Sequence, residues 1–323
     1  MTSRLMHRTT TRVALVLLGI ALAAAAVGCA RSIAVPPLSE APASSPARIP
    51  VLAYHGITEG PSVVTDEADP LYFDVRLAEF DRQMADLRDA GYSTITPDDY
   101  VKWVAGDDVS LPDKPILITF DDGQTSTRLA TPVLERYGFV ATMYVVSGFA
   151  DGSFGGPVGE PGWYLTWAQL QDMEASGTWN MQFHAGPQGH AYVNDAAQPD
   201  CHRFYPCRFG QDADTYQARV KADVAQGLGA MRSAFDLPDG WQGSTYAVPW
   251  DDPASAPGAS SEPDPDPWLG RYFASQFPVV FVQETYTGAN NQRYRFELHN
   301  PNDLDEFRTG LDSSRFDRPE AAG

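Results

Sequence analysis

From Pro50 onward, short continuous apolar runs alternate with segments whose apolar residues recur at helical spacing. The runs Pro50–Tyr54, Tyr92–Ile95, Pro115–Phe120, Ala141–Val146, Asn180–Phe183, Ser244–Val248 and Pro278–Val282 are too short for helices. Their near-continuous apolar character predicts strands covered on both faces. Between them, Leu77, Phe80, Met84 and Leu87 form one helical stripe that stops at Gly91, and Leu129, Val133 and Tyr137 form another. Thr96-Pro97-Asp98-Asp99 predicts a helix start, with a capping hydroxyl, a first-turn proline and acids on the positive end of the dipole. Further helices are predicted over Trp167–Ala175, stopped by Gly177, over Thr215–Phe235, and from Asn300-Pro301 toward Leu311.

Strands separated by helices pair in parallel through right-handed crossovers. The pattern therefore predicts an α/β fold, a distorted (β/α) barrel of seven or eight strands, whose chemistry lies at the strand C-terminal ends. Pro253–Asp266, dense in Pro, Ser, Ala and Asp, reads as a surface insertion, and no internal repeat is found.

The first fifty residues follow a different pattern. Arg4, His7, Arg8 and Arg12 precede the apolar run Val13–Val27, which ends at Gly28-Cys29. A basic head and a short apolar run ending in small residues predict an export signal over 1–28, since a spanning helix needs about 20 apolar residues. The Gly28-Cys29 junction resembles a bacterial lipobox, which implies acylation of Cys29 and a lipid anchor at the cell envelope. An ordinary signal peptide with an incidental Cys29 is the competing reading. Residues 29–48, rich in Ala, Pro and Ser, predict a flexible tether. The enzyme or binding domain is expected over 49–316, followed by a tail at 317–323. With Cys29 lipidated, Cys201 and Cys207 remain as one pair, and an exported chain favours a disulfide between them. A metal site built on these thiols with His202 is the alternative.

Composition narrows the function classes. Hydrophobic residues make up 43% and charged residues 20%, which suits a globular chain and excludes a disordered one. The 42 acidic against 23 basic residues give a net charge of −19, which argues against a nucleic-acid groove.

Candidate chemistry concentrates at predicted strand ends. Asp121 and Asp122 follow an apolar strand in Thr119-Phe120-Asp121-Asp122-Gly123. Two adjacent buried carboxylates repel each other unless a cation or proton separates the charges. They therefore ask for a metal, unless the segment only turns and caps the next helix. His184 and His190 follow another strand, and two imidazoles with one carboxylate form a triad that leaves metal positions open for water and substrate. His55 ends the first strand and His299 a late one, so both are candidates for an acid. His55 has a structural reading as well, as a hydrogen-bonded residue at the rim.

These residues resemble the NodB-type polysaccharide deacetylases of carbohydrate esterase family 4. The resemblance rests on Thr119–Gly123, Tyr54-His55-Gly56-Ile57, Leu87-Arg88-Asp89-Ala90-Gly91-Tyr92, Ala141-Thr142-Met143-Tyr144-Val145 and Leu165-Thr166-Trp167. It covers about Pro50 to Pro249, and the motif order is most similar to the poly-N-acetylglucosamine deacetylases of biofilm systems. It implies Asp121 as general base, His55 as acid, and Asp122, His184 and His190 as ligands of Zn2+ or of another divalent ion such as Co2+ or Ni2+. It further implies that Tyr246-Ala247-Val248-Pro249-Trp250 walls the acetyl pocket, with the Trp250 backbone N–H as an oxyanion donor. Trp167, Trp163 and Trp250 are candidates for sugar stacking. The chain departs from the family at three places: Ala185 follows His184 in a longer histidine gap, no arginine precedes Pro249 at the family's position, and Asp251-Asp252 follows Trp250.

The expected function is metal-dependent hydrolytic deacetylation of an N-acetylhexosamine polysaccharide. An O-acetyl esterase acting on xylan or another acetylated glycan is the first alternative. A lipid-anchored polysaccharide-binding scaffold with a defective site is the second.

Overall fold

The computed structural model of the chain describes residues 46–60, 72–152, 162–191, 204–205, 207–249, 268–282, 291–298 and 304–318. In chain order its strands are β1 (Val51–Tyr54), β2 (Ile57–Thr58), β3 (Val75–Arg76), β4 (Ser93–Thr94), β5 (Pro115–Phe120), β6 (Ala141–Val146), β7 (Trp179–Ala185), β8 (Thr245–Ala247), β9 (Val279–Val282), β10 (Gln292–Tyr294) and β11 (Phe296–Glu297). The helices are α1 (Leu77–Asp89), α2 (Pro97–Ala105), α3 (Thr131–Tyr137), α4 (Ser147–Ala150), α5 (Trp167–Ala175), α6 (Ala213–Phe235), α7 (Trp268–Gln276) and α8 (Leu304–Leu311).

Strands β11-β1-β5-β6-β7, with β4 also on β5, form a six-stranded sheet, and β10-β9-β8 form a second. Their ladders are all parallel, as expected where helices intervene between strands. β10 passes into β11 across one residue, Arg295, so the two sheets share a continuous path at that edge. At the other edge β7 and β8 approach through side chains instead of a backbone ladder. Gln182 Oε1 accepts from the Ser244 N–H at 2.9 Å and the Thr245 N–H at 3.3 Å, and His184 Nδ1 lies 2.9 Å from the Ala247 carbonyl. Of the expected seven- or eight-stranded barrel, the structure shows the α/β fold and its parallel sheets. No closed hydrogen-bonded ring is present among the described residues.

Side-chain alternation divides the interior in two. Leu52, Tyr54, Ile116, Ile118, Phe120, Met143 and Val145 pack with Phe80, Met84 and Leu87 of α1 and with the other helices in the larger core. Val51, Leu117, Tyr144, Ala247, Val279 and Phe281 face the other way, into a smaller core with Tyr100 and Trp103. The second set lines the side on which Thr119 and Asp121 continue the parity of Leu117. Local signals act as predicted at α2: Thr96 and Asp99 form a reciprocal capping box, Pro97 occupies the first turn, and Gly106 closes the helix at φ 85°.

Ordered structure runs slightly past the expected domain limits. The Trp103 Nε1–H donates to the Pro46 carbonyl at 2.8 Å, and Arg48 pairs with Asp317 at 2.6 Å. The Arg318 N–H donates to the Ala47 carbonyl at 2.8 Å. The ends of the expected tether and tail are therefore fastened to each other and to α2. Residues 1–45, including Cys29, and the Pro253–Asp266 segment lie outside the described residues.

Candidate active site

β5 delivers Asp121 and Asp122 to the sheet edge, and a tight turn sends their carboxylates apart. The Asp121 N–H donates to the Tyr54 carbonyl at 2.9 Å, which extends the β1–β5 ladder by one residue. The Gly123 N–H then donates to the Asp121 carbonyl at 2.8 Å, closing a three-residue turn with Asp122 at φ 70°. Aspartate tolerates this left-handed region better than most residues, at a cost of roughly 1–3 kcal/mol.

Asp122 meets the two histidines. Its Oδ1 lies 3.4 Å from His184 Nε2 and 3.0 Å from His190 Nε2. One ligand atom from each residue falls within 4.8 Å of the others. A carbonyl can only accept, so the His184–Ala247 contact requires a proton on His184 Nδ1. In the neutral imidazole this leaves the Nε2 lone pair facing the Asp122 oxygen, and Asp122 Oδ1 is buried without a hydrogen-bond partner among the described residues. Lone pairs converging on one point fit a divalent cation, and the donor set of one carboxylate and two imidazoles suits zinc or its neighbours. The backbone carbonyl that fixes the tautomer is the usual outer support of a ligating histidine. Burial favours the neutral acid at Asp122, but positive charge at this point, such as a protonated His190 or His184 would carry, outweighs it and holds the carboxyl well below its ordinary range.

Asp121 turns the other way, toward Arg295. Arg295 is fully buried, and its two terminal nitrogens each donate to a different oxygen of Asp121 at 2.6 Å. One of them also reaches Thr119 Oγ1 at 3.2 Å, and the guanidinium lies 5.5 Å from the centre of the Tyr144 ring. Burial alone would raise the Asp121 pKa, but the Arg295 charge overturns that and holds it below the usual value. This arginine was not singled out from the sequence, which offers none before Pro249 at the family's position. The available signal is a cation between two aromatic residues, Tyr294 and Phe296.

His55 follows β1 on the same edge, with its side chain 15% exposed. Its ring lies 5.2 Å from that of Phe73, and its Nε2 is 3.9 Å from Glu297 of β11. Desolvation lowers its pKa, while the charges of Asp121 and Asp122 pull it back upward.

Pro249 is buried just beyond β8, next to Val248, while Trp250 and the rival acid His299 lie outside the described residues. Trp167 begins α5 with its ring edge-on to Phe235 at 6.1 Å, a placement that packing alone explains. Cys207 is buried and disulfide-bonded; Cys201 lies outside the described residues.

Residues 108–238 match the family model for polysaccharide deacetylase. YxkH of Bacillus subtilis (strain 168), which bears that family's name, is 36% identical over 102 residues, covering 31% of this chain and 33% of the relative. The poly-beta-1,6-N-acetyl-D-glucosamine N-deacetylase of Escherichia coli (strain K12) is 27% identical over 198 residues, covering 54% of this chain and 28% of the relative. The chain thus spans 33% and 28% of the lengths of these two curated relatives. A solved de-N-acetylase from Aggregatibacter actinomycetemcomitans matches with a TM-score of 0.61 at 18% identity, over 82% of this chain and 100% of that one, a likeness of fold. The matched segment holds β5 through α6, and with them Asp121, Asp122, His184 and His190. Residues 108–238 thus carry a polysaccharide deacetylase domain, the signature of a hydrolase.

Proposed function

We propose that the chain removes N-acetyl groups hydrolytically from an N-acetylhexosamine polysaccharide at the cell envelope, using a divalent metal held by Asp122, His184 and His190. The observation that carries this reading is the junction of two adjacent carboxylates, one converging with two imidazoles within 4.8 Å and the other gripped by a buried arginine. A bound zinc, cobalt or nickel ion would supply Lewis acidity toward an acetyl oxygen and toward water.

The chain's own residues supply the proton transfers. Asp121, kept ionised by Arg295, accepts the proton of the attacking water. Neither carboxylate oxygen can rotate freely, because each accepts a separate guanidinium donor. His55 gives its proton to the departing amine; burial lowers its pKa, and the charges of Asp121 and Asp122 act against that in favour of the charged imidazole this requires. The Trp250 N–H, carried by the segment after β8, is the proposed donor to the developing oxyanion.

The substrate class is supported by the Escherichia coli relative, whose name gives poly-beta-1,6-N-acetyl-D-glucosamine as what it acts on. Export is supported by the basic and apolar pattern of residues 1–28 and by the disulfide at Cys207, since such bonds persist outside the reducing cytoplasm. Acetate release from N-acetylglucosamine oligosaccharides and from acetylated xylan, with and without chelator, tests the reading. Chelator-sensitive release from the amide substrate is expected. Release from xylan alone identifies an O-acetyl esterase, and release from neither leaves a binding scaffold.

A further inference from the structure

His184 and His190 are joined by Ala185-Gly186-Pro187-Gln188-Gly189, whose glycines permit many backbone paths. His190 reaches Asp122 only because this segment doubles back, so something must select that path. Two buried side chains from elsewhere in the chain take up its amides. The Gly186 N–H donates to the Tyr205 hydroxyl at 3.1 Å, and the Gln188 N–H donates to Asp223 Oδ1 at 2.7 Å. The Gly189 N–H is directed at the same carboxylate. The Tyr205 hydroxyl closes the set by donating to Asp223 Oδ2 at 2.8 Å. Tyr205 is 1% exposed and Asp223 6%.

Both side chains are fixed from behind. Asp223 projects from α6, and Gly227, one turn further on, lets that helix meet the loop backbone. A Cβ at Gly227 would overlap Gly186 Cα, and a Cβ at Gly186 would overlap the Asp223 carboxylate. Tyr205 is held to the same helix: the Tyr216 hydroxyl donates to its carbonyl at 2.9 Å, and Arg219 donates to the carbonyls of Phe204 at 2.6 Å and Cys207 at 2.5 Å.

We infer that Tyr205 and Asp223 are positioning residues of the metal centre, a buried hydroxyl–carboxylate brace that selects the loop path placing His190 opposite Asp122 and His184. The inference rests on the metal reading of that triad. Neither residue touches the reacting atoms. Its effect is on the entropy of the ligand set: without the brace, the metal must itself order the loop as it binds.

The test uses the mature chain with Tyr205→Phe, which removes only the bridging hydroxyl, and Asp223→Asn, which removes the charge at nearly constant shape. Zinc affinity is measured by competition against a chromophoric chelator, and thermal unfolding is followed on the metal-free protein. Each variant is expected to bind zinc about 10–100-fold more weakly, the range found for outer supports of metal ligands. The metal-free protein should still unfold cooperatively, and acetate release should recover toward that of the parent at saturating zinc. Zinc affinity within about threefold of the parent in both variants overturns the inference, as does loss of cooperative unfolding in both. Failure of the parent chain itself to bind zinc through the triad overturns the metal reading instead, so the two failures are distinct.

Discussion

Arg295 clasps Asp121 from 174 residues further along the chain, one terminal nitrogen on each carboxylate oxygen at 2.6 Å. Their side chains are 0% and 3% exposed, so neither charge has water to fall back on. Removing one partner of such a pair strands the other, which typically costs about 3–5 kcal/mol. Arg295→Met should therefore lose stability on that scale in urea unfolding at neutral pH, and most of the loss should return when Asp121→Asn is added. A loss below about 1 kcal/mol would show that the clasp contributes little.

The same pair fixes a pH dependence. Burial pushes the Asp121 pKa up and Arg295 pulls it further down, to below the ordinary value. A carboxyl whose folded pKa is depressed contributes stability that is fully present above its unfolded pKa, about 3.9. That contribution is lost as pH falls through the lower folded value. In Arg295→Met the main opposition to burial is gone, so the Asp121 pKa rises and the acid limb of the kcat/KM profile should move to higher pH. An unmoved acid limb in a folded variant would mean that Asp121 is not the base.

His55 and His299 are the rival candidates for the acid. His55→Ala should slow release of the amine leaving group by about 10²–10⁴ while sparing zinc binding. Hydrolysis of an activated phenyl acetate should suffer much less, because phenolate departs without a proton. Near-normal deacetylation by His55→Ala would falsify the assignment, and the same pair of assays on His299→Ala then tests the rival.

The cluster of Asp122, His184 and His190, with Asp121 beside it, was legible because its signals are local. Asp121 and Asp122 end a six-residue buried strand, and His184 and His190 stand on and just after another strand at the same edge. Arg295 was not, because its partner is set by topology: only the parallel pairing of β11 with β1, and of β1 with β5, carries it to Asp121. Tyr205 and Asp223 were hidden for the same reason, one lying in a cysteine loop and the other on a long helix read for its length alone. β10 and α7 were also missed. α7 buries only Leu269, Gly270 and Phe273, a narrow stripe after a Pro-rich stretch, and β10 has three half-buried residues with no apolar run. Alternation of strands and helices predicts the parallel pairing, but it does not say whether the last ladder forms.

Cys207 provides a separate check on compartment. Peptide mapping without reductant, on protein from its native compartment, should find it joined to Cys201. Cys207→Ser should lower stability by about 2 kcal/mol, the scale of a short closed loop. Both thiols free in native material would remove the disulfide's support for export.

Anchoring is tested at Cys29. Cys29→Ala should shift the chain from the membrane fraction to the soluble one, and mass spectrometry of the parent should find an acylated Cys29 as its first residue. Unchanged fractionation with no acyl group contradicts the anchor.

The most direct test of the central claim is to titrate zinc into metal-free chain while measuring bound metal and acetate released from N-acetylglucosamine oligosaccharides. The account predicts that activity rises in proportion to occupancy and reaches its plateau at one ion per chain. It also predicts that Asp122→Asn and His190→Ala bind far more weakly and release little acetate at the parent's saturating zinc. Full acetate release by the metal-free chain, or one tightly bound zinc persisting in both variants, would contradict it.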